Sequence, residues 1–193
     1  MPTNLQVPRL MAAAAAVTCS IGIAAVSFAT LSMRAALASC LLGWAMQAVA
    51  AIDARRFIIP DAVCLPAIPL GLVASGALLD PLQDRIISLD HLIGAGLGGA
   101  GFWLLREAYW RLRHREGLGM GDVKLAAAAG AWIGWEHLPD AVLLAGAAAL
   151  SVAVALALLT RRSLSGRERI PFGAFLAPAI WGVWWLRALA QAQ

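Results

Sequence analysis

The sequence carries little charge. Only 13% of its 193 residues are charged, whereas 61% are hydrophobic. A water-soluble domain usually has about 25% charged residues, so this chain cannot supply the surface of one. A disordered chain has low hydrophobicity, and a coiled coil has many charged residues beside its apolar positions. This sequence has neither property, so both classes are excluded. The composition therefore predicts a membrane protein.

Cysteine is also scarce and unpaired. Cys19, Cys40 and Cys64 lie singly within or beside apolar stretches, and no C-x-x-C pair occurs. This spacing excludes a disulfide-rich secreted scaffold and gives no zinc or redox site. We expect neither a metal nor a cofactor.

The net charge is +4, which by itself would be compatible with nucleic-acid binding. The basic residues, however, cluster at the edges of apolar runs, as in the segment 106–116. Arginines at such edges are typical of contact with anionic lipid. We therefore predict a lipid bilayer as the partner and no nucleic acid, and the sequence leaves the oligomeric state open.

Seven uncharged runs divide the chain. They are 10–33, 35–52, 62–79, 91–105, 125–135, 141–160 and 170–186. About twenty apolar residues are needed for a helix to cross the hydrocarbon core, and four runs come close to that length unaided. The runs predict an all-α, polytopic bundle of about seven transmembrane helices, forming one membrane-embedded domain over 1–193.

Basic residues predict the orientation, because they are retained on the cytoplasmic side. With a cytoplasmic N-terminus and seven crossings, twelve of the 15 Lys and Arg residues lie inside. Only Arg34, Arg85 and Arg187 then lie outside. The reverse orientation would violate the rule strongly.

Two acidic residues lie at the ends of apolar runs. Asp53 closes the second run and Asp122 precedes the fifth. Two complete spans separate them, so both carboxylates face the same side of the membrane in either orientation. They can therefore meet in the folded protein.

The run after Asp122, 125–135, is the shortest and spans only about 16 Å as a helix. Its beginning should lie below the lipid surface, where a carboxylate is costly unless it faces a sheltered or wet cavity. Gly119 and Gly121 favour non-helical backbone, which is tolerated at that depth only in the same shelter. The sequence thus predicts a cavity at this point.

Two carboxylates held close together cannot both ionise easily, so one keeps a proton while the other can take one from water. Such a pair can hydrolyse a peptide bond without a metal or a covalent intermediate. Simpler explanations are open for each residue: Asp122 could cap the helix that follows it, and Asp61, after Pro60, could do the same. Asp53 has no capping role at a helix end that prefers cations.

The motif Gly-Met-Gly-Asp-Val-Lys-Leu at 119–125, preceded by Asp53 and by Ile-Pro-Asp at 59–61, resembles the prepilin peptidases. These are G-x-G-D membrane aspartyl proteases of type IV pilus, secretion and related systems. The resemblance extends to Gly-Ala-Trp-Ile-Gly-Trp at 130–135 and Ile-Pro-Phe-Gly-Ala-Phe-Leu at 170–176. The joint occurrence is far more specific than any single piece.

The resemblance implies cleavage of the short basic leader of prepilins or pseudopilins at the cytoplasmic face of the bacterial inner membrane. It maps the two catalytic aspartates to Asp53 and Asp122. Gly119, Gly121, Pro60, Asp61 and Lys124 are carried over as supporting residues of the motif. A cation beside Asp122 would favour its ionised form, and we hypothesise that Lys124 acts in this way.

The larger bacterial members of this family carry a cytoplasmic insertion with two C-x-x-C pairs and also methylate the new pilin N-terminus. The sequence contains no such insertion. It is therefore similar to the short form of the family, and N-methyltransferase activity is not expected.

Two other functions fit parts of the pattern. A small transporter or proton channel could also use intramembrane carboxylates and glycine-broken helices, but it would be expected to show an internal repeat, and none is convincing. An intramembrane protease of the presenilin or signal-peptide-peptidase type shares G-x-G-D. Those proteins carry a tyrosine beside the first aspartate, where this chain has Ile52.

Overall fold

The protein is built from helices in the part of the chain that its structure, a computed structural model, describes: residues 6–79, 89–114, 117–160 and 170–191. The helices are α1 (Gln6–Thr30), α2 (Met33–Arg56), α3 (Asp61–Leu79), α4 (Leu89–Arg113), α5 (Met120–Thr160) and α6 (Phe172–Gln191). The predicted all-α bundle is confirmed.

The fifth helix contains a break. Gly134 has φ 73° and ψ 172°, a non-helical conformation that divides α5 into two arms. The arms correspond to two of the predicted runs, so six helices with one broken account for the approximate count of seven. Arg187 on α6 donates a hydrogen bond to the carbonyl of Ile133 at the break. A carbonyl left without its helical partner is thereby satisfied, as an apolar environment requires.

Within the described residues, four helices are long and apolar enough to cross a membrane, namely 11–30 of α1 and all of α2, α5 and α6. α3 contains a shorter apolar stretch, Asp61–Ser75. Proline at positions 66 and 69 does not end α3, since neighbouring helices can satisfy the backbone groups that proline leaves free.

The first arm of α5 lies at the centre of the bundle, packed against α3, α4 and α6. Trp132 is almost fully buried there. Its indole Nε1 donates to the carbonyl of Ala67 on α3 at 2.8 Å, and its ring meets Trp184 of α6 edge-on, with centroids 6.1 Å apart. This one side chain therefore fixes the first arm of α5 relative to both neighbouring helices.

α4 and α5 approach each other at the level of their backbones. A methyl group on Gly98 would collide with the carbonyl of Ala126, and one on Gly130 would collide with the carbonyl of Gly94. Small residues allow such approach, and close packing is a main source of helix association in lipid. The contact holds the first arm of α5, which begins two residues before Asp122, against α4.

Replacing Gly98 with alanine should therefore destabilise the bundle, by about 1–3 kcal/mol as for other overpacked contacts. Gly96 on the same helix is a matched control, because a methyl group there meets nothing within 4 Å. We expect Gly98→Ala to lower the midpoint of thermal unfolding in detergent and Gly96→Ala to leave it unchanged or raised. Equal midpoints for the two variants would contradict the proposed role of the α4–α5 contact.

Candidate active site

A cavity of about 550 Å³ lies where α2 ends and where α3 and α5 begin. Its walls are the last turn of α2, the connector to α3, and the G-x-G-D segment at the start of α5. The lining residues are Asp53, Phe57, Ile58, Ile59, Pro60, Asp61, Gly119, Met120, Gly121, Asp122 and Lys124. The structure thus has a cavity where the short fifth run predicts one, and both aspartates line it.

Asp53 lies in the last turn of α2 and is only 5% exposed. Its Oδ2 accepts a hydrogen bond of 2.8 Å from the backbone N–H of Ala174, in the first turn of α6. The first N–H groups of a helix have no partner within it and carry partial positive charge. The start of α6 therefore supplies what a buried carboxylate needs.

Gly173 is the residue that permits this arrangement. A methyl group at its Cβ position would lie 2.9 Å from Asp53 Oδ2 and 2.6 Å from Ile59 Cδ1. Both separations are shorter than van der Waals contact. Any larger residue at position 173 would push the carboxylate or Ile59 aside.

Asp122 lies in the first turn of α5, partly buried. Its Oδ2 accepts a hydrogen bond of 3.1 Å from the N–H of Gly119, immediately before the helix. α5 begins at Met120, so Asp122 is the third residue of the helix and not the capping residue before it, and the simpler explanation from the sequence is wrong. The contact instead ties the segment before the helix to its first turn. Asp122 also lines the same cavity as Asp53, which a capping role does not require.

Ile59 packs between the two glycine-containing motifs. Its side chain is 9% exposed and would lie 2.7 Å from a Cβ at Gly121 and 2.6 Å from one at Gly173. The connector between α2 and α3 is thus in contact with the segment that carries Asp122 and with the turn that holds Asp53. Gly121 leaves room for Ile59 next to Asp122.

Lys124 pairs with Asp61. Its Nζ lies 2.7 Å from both carboxylate oxygens of Asp61, and the side chains are 30% and 56% exposed respectively. The hypothesis from the sequence placed this ammonium on Asp122. Residues i and i+2 of a helix point in different directions, and the lysine instead joins α5 to the start of α3 at the edge of the cavity.

The structure brings every residue predicted from the motifs to one place. Asp53, Asp122 and the supporting set all line the cavity; that set is Gly119, Gly121, Lys124, Pro60 and Asp61. Sequence analysis did not assign a role to Gly173 and Ala174. The signal that indicates exposed N–H groups there is a proline at position 171 with a glycine two residues later, at a helix start and in a segment that belongs to the resemblance. Among the described residues, no group of three or more His, Cys, Asp or Glu side chains could hold a metal ion.

Comparison with known proteins gives the family. The Type IV leader peptidase family matches residues 40–154, a range that contains both aspartates and more than half of the chain. The protein belongs to this family. With its apolar helices, this makes it a multi-pass protein of the bacterial inner membrane, and a transporter or channel is not favoured.

Several curated relatives are similar over most of this chain. Prepilin leader peptidase/N-methyltransferase of Aeromonas hydrophila is 39% identical over 146 residues, which cover 75% of this chain and 48% of the relative. The Escherichia coli K12 protein of the same name is 40% identical over 127 residues, covering 65% and 52%. Leader peptidase HopD of Escherichia coli is 41% identical over 138 residues, covering 72% and 85%.

The chain therefore spans about half the length of the two relatives named for both activities, but most of the length of HopD. No solved structure matches the chain.

The Lys124–Asp61 pair should contribute little to stability, because ion pairs this exposed are usually worth at most about 1 kcal/mol. A double-mutant cycle of Asp61→Asn and Lys124→Met, followed by thermal unfolding in detergent, measures the coupling directly. We expect a coupling energy of about 1 kcal/mol or less. A value near 3 kcal/mol would show instead that the pair holds α3 and α5 together.

Proposed function

We propose that this protein is an aspartic endopeptidase that removes the basic leader peptide from type IV prepilin-like precursors, with Asp53 and Asp122 as the catalytic pair. The observation that carries the proposal is that these two carboxylates, 69 positions apart in sequence, line one cavity in a chain of the leader peptidase family. Their polar contacts are with backbone N–H groups, so each keeps oxygen lone pairs for water and substrate.

In the proposed reaction, water attacks the carbonyl carbon of the scissile peptide bond. One aspartate accepts a proton from the water as its oxygen bonds to carbon, while the other, protonated, donates its proton to the carbonyl oxygen. The first aspartate then passes its proton to the leaving nitrogen and the C–N bond breaks. The second aspartate takes back the proton of one of the two hydroxyl groups on the carbon, so that a carboxyl group forms. The pair ends with one proton, as it began, and needs no metal.

We assign the ionised, water-activating role to Asp53 and the protonated role to Asp122. Hydrogen bonds from N–H donors favour the charged form of a carboxyl group. Asp53 receives one of 2.8 Å from the start of α6, whereas the one that Asp122 receives is longer, at 3.1 Å. Lys124, which would have favoured ionised Asp122, is engaged with Asp61.

The proposed substrate approaches from the cytoplasm. The distribution of Lys and Arg favours a cytoplasmic N-terminus, and the cavity then opens at the same face, next to Arg55 and Arg56 at the end of α2. A leader peptide rich in basic residues remains on that side for the same reason. The scissile bond, at the junction of leader and apolar helix, would then meet the cavity at the membrane surface.

Only the peptidase activity is proposed. The similarity to the relatives named for both activities covers about half of their length. The relative named only as a leader peptidase is covered over 85% of its length. That difference favours an activity located in the region these proteins share.

Replacing either aspartate with asparagine should abolish cleavage, by about 100-fold or more, because asparagine can neither accept nor supply the transferred proton. Co-expression with a prepilin-like protein from the same genome, read as a shift of the precursor to a shorter product, measures this. Asp90→Asn is the control, since Asp90 is exposed in the first turn of α4. Wild-type cleavage by Asp53→Asn or Asp122→Asn in folded, inserted protein would refute the assignment.

Gly173→Ala should reduce kcat roughly 10- to 100-fold with little change in KM, because it displaces the Asp53 carboxylate and a small misplacement of a reacting group is costly. Gly182→Ala on the same helix is the matched control, as a methyl group there meets nothing within 4 Å. Steady-state cleavage of a peptide substrate by the purified variants distinguishes them. Equal kcat values would show that α6 does not position Asp53.

A further inference from the structure

The end of α4 that carries aromatic residues lies level with the cavity. α4 and α5 run antiparallel where they touch, and Gly94 meets Gly130 there. Gly98, one turn later in α4, meets Ala126, one turn earlier in α5. Continuing this register by one more turn brings position 102 of α4 level with position 122 of α5, because four residues advance both helices equally. Phe102 therefore lies at the height of the G-x-G-D segment.

Two aromatic residues lie on the face of α4 that packs on α5. Phe102 is four residues after Gly98, and Tyr109 is seven residues after Phe102. Steps of four and seven residues return to the same side of a helix. The glycines of this face let the backbones of α4 and α5 touch, whereas the two rings extend from it to segments that lead into the cavity.

The ring of Phe102 contacts the start of α6. Its centroid lies 6.3 Å from that of Phe172, the first residue of α6, and the ring planes are inclined at 33°. Both rings are partly buried against the core of the bundle. Two residues after Phe172, the N–H of Ala174 donates to Asp53. Phe102 therefore supports the turn that holds the first carboxylate.

The ring of Tyr109 contacts the segment that leads into α5. A methyl group on Gly117 would lie 2.5 Å from Cδ1 of Tyr109 and 2.6 Å from its Cε1, so the ring lies directly against this glycine. Two residues after Gly117, the N–H of Gly119 donates to Asp122. Tyr109 therefore limits the movement of the backbone that holds the second carboxylate.

The two contacts have the same form. In each, a ring of α4 lies against a residue two positions before the backbone N–H that binds one aspartate. The next residues along α4, Trp103 and Trp110, are rotated by about 100° around the helix. They are 44% and 51% exposed, as expected of side chains that face lipid or its interface.

The separation of the two carboxylates must be kept closely, because a misplacement of about 1 Å can cost about 100-fold in rate. Asp53 and Asp122 belong to different helices, and each accepts a hydrogen bond from a segment outside its own helix. One helix, α4, contacts both of these segments. Its two contact points are about 10 Å apart along the helix axis, so the position of one segment is fixed relative to the other.

We propose that Phe102 and Tyr109 are positioning residues of the peptidase, through which α4 supports the segments that hold Asp53 and Asp122 and so sets the separation of the two carboxylates. The proposal rests on the peptidase function proposed above and adds two residues that do not line the cavity. They affect the rate of cleavage through the aspartates, whereas the binding of the substrate is left to the cavity.

Phe102→Ala and Tyr109→Ala should each lower kcat about 10-fold and change KM less than about twofold, because the carboxylates are displaced while the cavity is kept. Trp103→Ala and Trp110→Ala are the matched controls and should keep the wild-type kcat. The substrate is a peptide spanning the leader junction of a prepilin-like protein, first shown to be cut by the wild-type enzyme. Equal kcat values for the variants and their controls would overturn the proposal.

A displaced carboxylate must be distinguished from a loss of folded protein. The rates are therefore measured on the monodisperse fraction in detergent, well below each variant's midpoint of thermal unfolding. Phe102→Leu keeps an apolar side chain against Phe172, and Tyr109→Phe keeps the ring against Gly117. Both should recover most of the lost rate. Rates as low as those of the alanine variants would refute a role for these contacts.

Two double variants test the contacts themselves. Phe172→Ala removes the same ring contact as Phe102→Ala, so the double variant should lose no more rate than the more affected single variant. Gly117→Ala should lower kcat because its methyl group meets the ring of Tyr109, and adding Tyr109→Ala should lower kcat no further. Losses that multiply in either pair would contradict the corresponding contact.

These results separate the two proposals. Failure of the wild-type enzyme to cut any prepilin-like peptide counts against the proposed function. Cleavage by the wild-type enzyme at a rate that Phe102→Ala and Tyr109→Ala equal counts against the positioning role of α4 alone.

Discussion

The site depends on how a carboxylate can be kept among apolar helices. Asp53 is 5% exposed, and a buried charge is costly unless hydrogen-bond donors replace the water it has lost. The first turn of α6 supplies such a donor, the N–H of Ala174, 121 positions further along the chain. Because the donor is a backbone N–H group, the contact requires a helix that starts at this point and a residue without a side chain at position 173. The position of the Asp53 carboxylate and the position at which α6 starts therefore depend on each other.

The same requirement for small residues organises the rest of the bundle. α5 reaches the centre because glycines on α4 and α5 let the backbones touch, and Trp132 ties it to α3 and α6. Its break at Gly134 exposes a carbonyl that Arg187 of α6 satisfies. α6 thus supports α5 near the break and donates to Asp53 through its first turn. Both aspartates depend on how this helix is placed.

Much of this arrangement could be predicted from the sequence, since membrane spans constrain a chain strongly. The number of spans between Asp53 and Asp122 places them on the same side, and the short run after Asp122 predicts a cavity. Their partners could not be predicted in the same way. Lys124 is next but one to Asp122 in sequence, yet helical geometry directs it to Asp61. The contacts of Ile59 with Gly121 and Gly173 join three distant segments, and no local pattern specifies such packing.

The extent of the site also differs from the extent of the family match. Residues 40–154 include both aspartates, the connector and the G-x-G-D segment. The amide of Ala174 lies beyond that range, yet it provides the hydrogen bond of Asp53. A backbone donor can be supplied by many sequences, provided that a helix starts in the right place and its first residues are small. The motif at 170–176 nevertheless belongs to the resemblance noted in the sequence. This is expected if the chemistry proposed for Asp53 needs a residue without a side chain at position 173 as well as the helix start.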